Sequence, residues 1–347
     1  LVVRNESVMT DGTNRAWTMA VRPEAEPSAE TFAMTETAIP TAKHGEVLVR
    51  TLYMSLDPYM RGRMRVAKTY AASLQPGDVN TGEVIAVVEQ SESPIHKVGD
   101  TVRANIGWQE WAAIPAHEAT PVNPDLGPVS TGVGILGMPG MTAFFGLNAV
   151  LMPKTGDTLV VSAASGAVGA IVGQLGKLQG CFVIGTAGSN EKCRYIVDEL
   201  GFDAAINYKT QDISAELARL APDGVNIFFD NVGGAVSDAV FENLTLHTRI
   251  AICGQISQYN DEETAQGPRN LMMLTRNRAT VQGFLVYDYE LDHDMAKARM
   301  SNWIKEGKLK YKEDVVDGFE NAPEAFIGLL TGKNFGKLLV KVSEEIA

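Results

Sequence analysis

The stretch that decides the fold is LVVSAASGAVGAIVGQLGKLQG, which runs from Leu159 to Gly180. A short apolar strand, Leu159 to Ser162, leads into a turn that contains glycine, and we expect a helix to begin at about Ala167. Backbone N–H groups at the start of a helix have no partner within it, and the helix dipole favours negative charge there. This order of strand, glycine turn and helix therefore predicts binding of a dinucleotide through its pyrophosphate.

The small residues of this turn have separate roles. Gly166 lets the backbone approach the phosphates, and Gly169 lets the helix pack closely on the strand. Ala164 stands where the first glycine of the usual G-x-G-x-x-G pattern is expected. The alternative is a tight turn without a ligand, but the flanking strand and helix favour a cofactor. The predicted phosphate-binding residues are Ala164, Gly166, Ala167, Val168 and Gly169.

The end of the second strand indicates which dinucleotide binds. NAD-dependent enzymes place Asp or Glu about 20 residues beyond the fingerprint, against the ribose hydroxyls. Here the strand ends in GTAGS (185–189), which includes Gly188 and contains no acid. Lys192 opens the next helix, and Tyr208 and Lys209 follow the third strand, where they can bind a 2′-phosphate. We therefore expect NADP rather than NAD, with two solvated lysines as the alternative interpretation.

Composition sets broad limits on the function. The chain has 347 residues, enough for two domains, and its 45% hydrophobic and 21% charged content is that of an ordinary globular protein. A net charge of −12 argues against nucleic acid and anionic membrane surfaces as partners. No apolar run approaches the roughly 18 residues of a membrane helix. The first eight residues lack a signal-peptide pattern, and Met9 is a candidate native start.

The cysteines and histidines predict no metal site and no disulfide framework. The three cysteines are scattered over the second half of the chain, at Cys181, Cys193 and Cys253. An odd, small number of this kind is typical of free thiols in a reducing compartment, so we expect the cytoplasm. The histidines of the first half are His44, His96 and His117. None forms a closely spaced ligand pair, so we expect no zinc.

The order of elements predicts an α/β protein of two domains. Residues 46 to 123 have a β-rich pattern, and strands and helices alternate from about residue 137. Strands are expected at residues 159–162, 181–185, 204–208, 226–231, 249–254 and 280–286, and helices at residues 140–151, 190–200, 213–220, 236–243, 271–276, 292–306 and 322–330. The helical crossovers between these six strands predict a doubly wound parallel sheet. The closing GKLLVKV has no place in that sheet, so it should return to the N-terminal domain. We assign residues 137–309 to a Rossmann NADP-binding domain, and residues 1–136 with 310–347 to a β-rich substrate domain.

Six motifs occur in one order along the chain. They are SLDPYMRGRM (Ser55–Met64), GMPGMTAFFGL (Gly137–Leu147), AASGAVG (163–169), DNVGG (Asp230–Gly234), ICGQISQYN (Ile252–Asn260) and GKNFGK (Gly332–Lys337). Together they closely resemble the zinc-independent medium-chain dehydrogenase/reductases of the prostaglandin reductase and alkenal double-bond reductase group, and especially the bacterial curcumin reductase type. The resemblance runs from about Arg15 to Val342, nearly the whole chain.

The resemblance implies a GroES-like N-terminal domain completed by the C-terminal segment, and a homodimer. It also implies that NADPH delivers hydride to the β-carbon of an α,β-unsaturated ketone or aldehyde. Besides the glycine turn, the residues that match cofactor contacts of the family are Thr142, Lys192, Tyr208, Asn231, Cys253, Phe284, Val286 and Asn334. The tyrosines that match Tyr53 and Tyr259 face the substrate in that family.

The chemistry supports a tyrosine in this role. Hydride addition at the β-carbon places negative charge on the carbonyl oxygen, and a hydrogen-bond donor aimed at that oxygen stabilises the transition state. A phenol has a pKa near 10 and remains a donor at neutral pH. Tyr259 should lie at the carboxyl end of the sheet, where ligands of such folds bind, and Tyr53 should lie across the cleft. Packing is the alternative for each tyrosine. Arg61 and Arg63 are expected either to bind an anionic substrate group or to pair with acids.

Three functions remain open at this point. The leading hypothesis is an NADPH-dependent reductase of activated carbon–carbon double bonds in small enones and enals. The second is a quinone reductase of the same superfamily, with the same nucleotide domain and no zinc. The third is a catalytically silent NADPH-binding protein that acts as a redox sensor. The segment around Tyr259 and the SLDPYMRGRM motif favour the first.

Overall fold

The strands of the first half of the chain form two antiparallel sheets. A computed structural model describes residues 12–66, 71–261, 263, 265–269 and 271–345, and Met9 lies outside them. The elements of this half are β1 (Thr13–Met19), β2 (Phe32–Ala38), β3 (Glu46–Ser55), α1 (Tyr59–Arg63), β4 (Val84–Ser91), β5 (Thr101–Ala104), β6 (Trp111–Pro115) and β7 (Thr120–Pro121). β1 pairs with β2, and β3 pairs with both β4 and β6.

The middle of the chain forms a six-stranded parallel sheet. Its strands are β8 (Thr158–Val161), β9 (Phe182–Ala187), β10 (Ala204–Asn207), β11 (Val225–Asp230), β12 (Leu244–Ile252) and β13 (Thr280–Gly283). They are arranged in the order β10-β9-β8-β11-β12-β13, the order of the classical dinucleotide-binding fold. The helices are α2 (Met138–Phe145), α3 (Gly169–Leu178), α4 (Asn190–Arg194), α5 (Ile213–Leu220), α6 (Gly234–Glu242), α7 (Leu271–Asn277) and α8 (His293–Lys305). The predicted doubly wound sheet is confirmed.

Both faces of the central strands of this sheet are buried, which explains the continuous apolar runs of these strands. Successive residues of one strand point to opposite faces, so Val160 and Phe228 pack in one core cluster. Their neighbours Val161 and Phe229 pack in the other cluster, with α2 and α3. All four side chains are fully buried.

The C-terminal segment completes the sheet that contains β3, as predicted. It contains β14 (Glu313–Asp317), α9 (Ala322–Leu330) and β15 (Lys337–Lys341). β15 pairs antiparallel with β3 and parallel with β14, a strand that the sequence pattern did not indicate. The exact division of the chain at residues 136 and 309 stays a prediction. In the described part of the chain, no helix is both long enough and apolar enough to cross a bilayer.

Several boundaries differ from the sequence prediction. The helix expected from about Ala167 begins at Gly169, and β13 ends at Gly283 rather than Val286. The helices expected over residues 140–151 and 190–200 each change into a wider π-helical turn, over Gly146–Leu151 and Tyr195–Glu199. Hydrophobic spacing does not separate these helix types, because both place apolar residues on one face.

We predict that the packing of α9 against the sheet that contains β3 is a main source of the stability of this domain. The Phe326 ring is fully buried and lies edge-on to Trp108, with centroids 5.4 Å apart, and 6.3 Å from Phe32. Phe326→Ala should lower the unfolding free energy by about 3–5 kcal/mol through the cavity it leaves. Thermal denaturation should show a lower midpoint, whereas Val98→Ala, at a position 62% exposed, should leave it unchanged. Equal midpoints for both variants would contradict the prediction.

Candidate cofactor and substrate site

The turn after β8 places an open helix N-terminus at the carboxyl end of the sheet. Ala163 has a left-handed backbone, with φ of 49°, and its carbonyl accepts a hydrogen bond from the Gly166 N–H at 3.0 Å. A Cβ on Gly169 would lie 2.4 Å from the same carbonyl oxygen, so only glycine permits this approach of helix and strand. The residue before α3 is Val168, and no side chain caps the helix. The N–H groups of this turn therefore fit a dinucleotide pyrophosphate.

Ala164 is accommodated by a glycine on the neighbouring strand. The Ala164 side chain is fully buried, and its N–H donates to the carbonyl of Thr186 at 2.9 Å. A Cβ on Gly185, in β9, would lie 2.6 Å from the Cβ of Ala164. The methyl group that departs from the usual glycine pattern thus occupies space that Gly185 leaves empty.

The structure brings the predicted 2′-phosphate residues together around Gly188, just beyond β9. A Cβ on Gly188 would lie 2.7 Å from the Tyr208 hydroxyl and 3.3 Å from Cε of Lys209. Lys192 is half-buried, and its ammonium donates to the carbonyl of Gly332 at 2.8 Å. Burial and, after it, repulsion from Lys209 lower the pKa of Lys192. Because Lys192 and Lys209 repel each other, a doubly charged 2′-phosphate between them would stabilise both ammonium groups.

The carboxyl ends of β8, β11 and β12 are held together by a buried carboxylate. Asp230 accepts hydrogen bonds from the Ser162 hydroxyl at 3.0 Å and from the backbone N–H groups of Val232 and Gly233. Asn231 in turn donates from its side-chain amide to the Ser162 carbonyl at 2.8 Å. The sequence pattern assigned no role to Asp230 or Ser162, although an acid at the end of a buried strand is a signal that could have found Asp230.

Of the residues that match the nicotinamide region, Cys253 directly follows β12 and Phe284 directly follows β13, at the carboxyl ends of these strands. The Cys253 N–H donates to the Asp230 carbonyl at 2.8 Å, and burial raises the pKa of the Cys253 thiol to about 12, so it stays protonated. The Thr142 hydroxyl donates to the Met138 carbonyl at 2.7 Å. Phe284 packs edge-on to Phe229 with ring centroids 6.0 Å apart. Val286, two residues further on, is buried against the same core cluster.

The GKNFGK loop closes over the phosphate turn. Gly336 forms an isolated parallel bridge with Gly166, and the Asn334 side-chain amide donates to the Gly336 carbonyl at 2.8 Å. Lys337 follows and is almost fully buried, with its ammonium 2.7 Å from Oδ1 of Asp57 and 2.7 Å from the Ser55 hydroxyl. The ion pair of Lys337 and Asp57 could not be predicted from local sequence patterns, because the two residues lie 280 positions apart.

Tyr259 lies just beyond β12, at the end of a short 3₁₀ turn, and its side chain is half-buried. The N–H of Gln255 donates to its hydroxyl oxygen at 3.4 Å. A Cβ on Gly254 would lie 3.1 Å from that oxygen, so the phenol is close above the backbone. The hydroxyl therefore lies beside the residue that follows Cys253, at the carboxyl end of the parallel sheet.

Tyr53 has different surroundings. Its hydroxyl donates to Oε1 of Glu345 at 2.9 Å, in the C-terminal segment. Burial and then this hydrogen bond raise the pKa of Tyr53 to about 12, with further contributions from Glu344 and Glu313. The Tyr53 phenol is thus protonated, and it already donates its hydrogen bond to a carboxylate. A role for Tyr53 toward a substrate stays a prediction.

The expected acid partners of Arg61 and Arg63 are not found, which corrects that alternative for the described part of the chain. Arg61 is fully buried and donates from Nε to Oδ1 of Asn260 at 3.0 Å. Arg63 donates from Nε to the Ala72 carbonyl at 2.6 Å. Neither guanidinium forms an ion pair with a described carboxylate.

The described residues contain no group of three or more His, Cys, Asp or Glu side chains that could hold a metal ion. His96 is buried, and its Nε2 lies 3.0 Å from the carbonyl oxygens of Ala116 and Ala119, as in a structural histidine. Cys181, Cys193 and Cys253 are free thiols.

Comparison with known proteins identifies the class. Residues 15–122 match a family model described as the N-terminal domain of oxidoreductase, and residues 167–305 match one described as zinc-binding dehydrogenase. The chain is 42% identical to NADPH-dependent curcumin reductase of Escherichia coli, over 95% of this chain and 97% of the relative. It is 48% identical to 2-alkenal reductase (NADP(+)-dependent) of Nicotiana tabacum, over 86% and 88% of the two chains. The crystal structure of CurA in complex with NADPH from Vibrio vulnificus superposes with a TM-score of 0.91 at 45% identity, covering 95% of this chain and 99% of that one.

A Rossmann sheet joined to a β-rich domain, with an uncapped phosphate turn in the cleft, defines a dinucleotide-dependent oxidoreductase. The chain belongs to the medium-chain dehydrogenase/reductase family, in the zinc-independent group of prostaglandin, alkenal and curcumin reductases. The match to a model described as zinc-binding covers the nucleotide domain, where the described residues form no metal cluster.

Proposed function

We propose that this protein reduces the carbon–carbon double bond of α,β-unsaturated ketones and aldehydes. The protein is an NADP-dependent oxidoreductase, as the relatives with named cofactors are. One observation carries the proposal: the Tyr259 hydroxyl lies above Gly254 at the edge of the sheet that also carries the phosphate turn. A proton donor and a dinucleotide cradle on the same edge suit delivery of hydride to an acceptor whose oxygen becomes negative.

The residues around Gly188 fit NADPH better than NADH. No acid stands at the end of β9 to bind the 2′-hydroxyl, and Lys192, Tyr208 and Lys209 surround the position instead. When bound, NADPH supplies the hydride that adds to the β-carbon of the substrate. Lys192 and Lys209 neutralise the 2′-phosphate, and the turn at Gly166 orients the pyrophosphate.

Tyr259 acts on the substrate oxygen. Negative charge moves to the carbonyl oxygen as the hydride adds, and the phenol donates a hydrogen bond to it. This bond is stronger in the transition state than in the ground state, so it accelerates the step. A proton taken up at the α-carbon then completes the saturated carbonyl product. The half-buried position of Tyr259 strengthens the bond because less water competes for it.

The substrate class is tested by following NADPH absorbance with a panel of enals, enones and curcumin-like dienones, with quinones in parallel. Oxidation of NADPH by the enones, with formation of the saturated ketone, is the expected result. Turnover with quinones alone would replace the proposal by a quinone reductase. Tight NADPH binding with no turnover on either class would indicate a redox sensor.

Tyr259→Phe should lower kcat on the order of 100-fold with an enone, because loss of one donor to a developing oxyanion typically has this effect. The affinity for NADPH should stay the same, since the phenol is placed to contact the substrate. Steady-state kinetics and a fluorescence titration with NADPH measure the two quantities. Tyr289→Phe is the matched control, since it keeps the ring that stacks on Phe145 with centroids 4.9 Å apart and should leave kcat unchanged. Unchanged turnover in Tyr259→Phe would reject this residue as the donor.

Lys192→Ala should raise the KM for NADPH far more than the KM for NADH, because the lost ammonium interacts with the 2′-phosphate that NADH lacks. Initial rates at varied concentrations of each cofactor give the ratio. Lys308→Ala, whose ammonium is exposed and paired with Glu306, serves as the control. Equal increases for both cofactors would contradict the role of Lys192.

We also propose that the protein is a cytoplasmic homodimer that pairs through β13. This strand is the edge of the parallel sheet, and all four of its residues are exposed. Large apolar side chains lie on and beyond it: Val281 is 40% exposed, Leu285 37% and Met295 52%. An exposed edge next to apolar side chains is a template for pairing with another strand. The three free thiols support a reducing compartment.

Val281→Lys should convert the dimer to a monomer in sedimentation velocity, because two copies would place like charges near each other at the pairing edge. Val315→Lys is the matched control, since Val315 is 41% exposed on β14 of the other sheet. Dissociation by Val315→Lys and not by Val281→Lys would place the interface elsewhere.

A further inference from the structure

Arg61 is a fully buried guanidinium in the helix that faces the Tyr259 loop. Its side chain is 0% exposed, among the largest fully buried side chains of the described residues. Nη2 donates to the backbone carbonyls of residues 23–25, and Nε donates to Oδ1 of Asn260 at 3.0 Å. Nη1 is buried without a hydrogen-bond partner among the described residues. Arg61 thus binds neutral oxygens alone in this part of the chain.

A buried cation without a counterion is uncommon, because desolvation of a charge is costly unless an opposite charge compensates for it. Burial lowers the pKa of Arg61 to about 10, and the charged neighbour that contributes is Arg65, which is also positive. The chain carries 42 acidic against 30 basic residues, so acids are available to pair with it. No described carboxylate neutralises the positive charge of Arg61.

The Arg61 side chain contacts the loop that carries Tyr259. Asn260 is the next residue, and its amide oxygen accepts from Arg61. Arg65 donates from Nη1 to the Tyr259 carbonyl at 3.4 Å, and its Nη2 donates to the Asp261 carbonyl. Three consecutive residues of the loop are thus held by two arginines from or beside α1, on the other domain.

We propose that Arg61 is a positioning residue that also maintains a positive potential at Tyr259, through a guanidinium with no counterion among the described residues and through its bond to the neutral amide of Asn260. The inference rests on the proposed function, because it takes Tyr259 to be the donor to the substrate oxygen. A cation held against the Tyr259 loop stabilises the negative charge that develops on the substrate, and it stabilises the neutral ground state much less.

The neutrality of residue 260 is the central point of this proposal. An amide oxygen accepts the hydrogen bond from Nε and leaves the charge of Arg61 uncancelled. A carboxylate of the same shape would keep the contact and neutralise the guanidinium. Asn260→Asp therefore separates the charge from the contact, and it avoids Arg61→Met, which leaves three backbone carbonyls without a donor and can fail to fold.

Asn260→Asp should lower kcat with an enone on the order of tenfold, since a unit charge about 10 Å from a developing charge changes a rate by roughly that factor at an effective dielectric constant of about 20. KM for the enone should stay within about twofold, because the neutral ground state is little affected. The thermal midpoint should not fall, since the new carboxylate pairs with Arg61. Asn260→Ala removes the contact and keeps the charge, so its loss in kcat should be smaller.

The control for added charge is Asn302→Asp, at an exposed position of α8, which should leave kcat unchanged. A kcat of Asn260→Asp within twofold of the unsubstituted protein would overturn the role of the charge. An equal loss in Asn260→Ala and Asn260→Asp would also overturn it, since the contact alone would then account for the effect. A lower thermal midpoint together with weaker NADPH binding would reduce Arg61 to a structural residue.

Failure of this inference is distinguishable from failure of the proposed function. If the unsubstituted protein does not oxidise NADPH with enones, or if Tyr259→Phe retains full turnover, the proposed function or its donor is wrong. If enones are reduced and Tyr259→Phe is impaired while Asn260→Asp is not, the function stands and the charge of Arg61 has no part in it.

Discussion

The cleft depends on one constraint, which is that the last strand, β15, joins the sheet that contains β3. β15 pairs with β3, and just before it Gly336 bridges to Gly166 in the phosphate turn. Between these two contacts, Lys337 buries its ammonium against Asp57. Removing one partner of a buried ion pair typically costs about 3–5 kcal/mol, so this pair fixes the start of β15 within its own domain. Gly336 then joins that strand to the phosphate turn of the other domain. Asp57 leads into α1, and Arg61 of α1 and Arg65 just beyond it hold the Tyr259 loop.

Several positively charged side chains lie around the cleft, although the protein as a whole is acidic. The chain has a net charge of −12, yet Lys192 and Lys209 at one end of the cleft and Arg61 and Arg65 at the other form no ion pair with a described carboxylate. Cations that are kept without partners suit anionic groups that arrive with a ligand or develop during a reaction. Within an acidic molecule, these cations therefore favour the binding of a phosphorylated cofactor.

Much of the fold was predictable from local patterns. The six parallel strands and the helices between them follow from apolar runs and turn residues, and the helices at Ile213–Leu220 and Ala322–Leu330 have the predicted bounds. The π-helical turns and β14 were not predictable in this way. Ala164 is a clearer case, because the pattern showed a missing glycine, and only the packed sheet shows that Gly185 provides the space.

The sequence by itself determined the parallel sheet, the phosphate turn and the absence of an acid after β9, because each depends on residues that are neighbours along the chain. Tertiary structure alone decided which distant side chains meet. Arg61 reaches Asn260 across 199 residues, and the Tyr53 hydroxyl reaches Glu345 across 292 residues. The physical reason is that periodicity and turn chemistry act over a few residues. The pairing of two domains depends on how their packed surfaces fit, which no local pattern encodes.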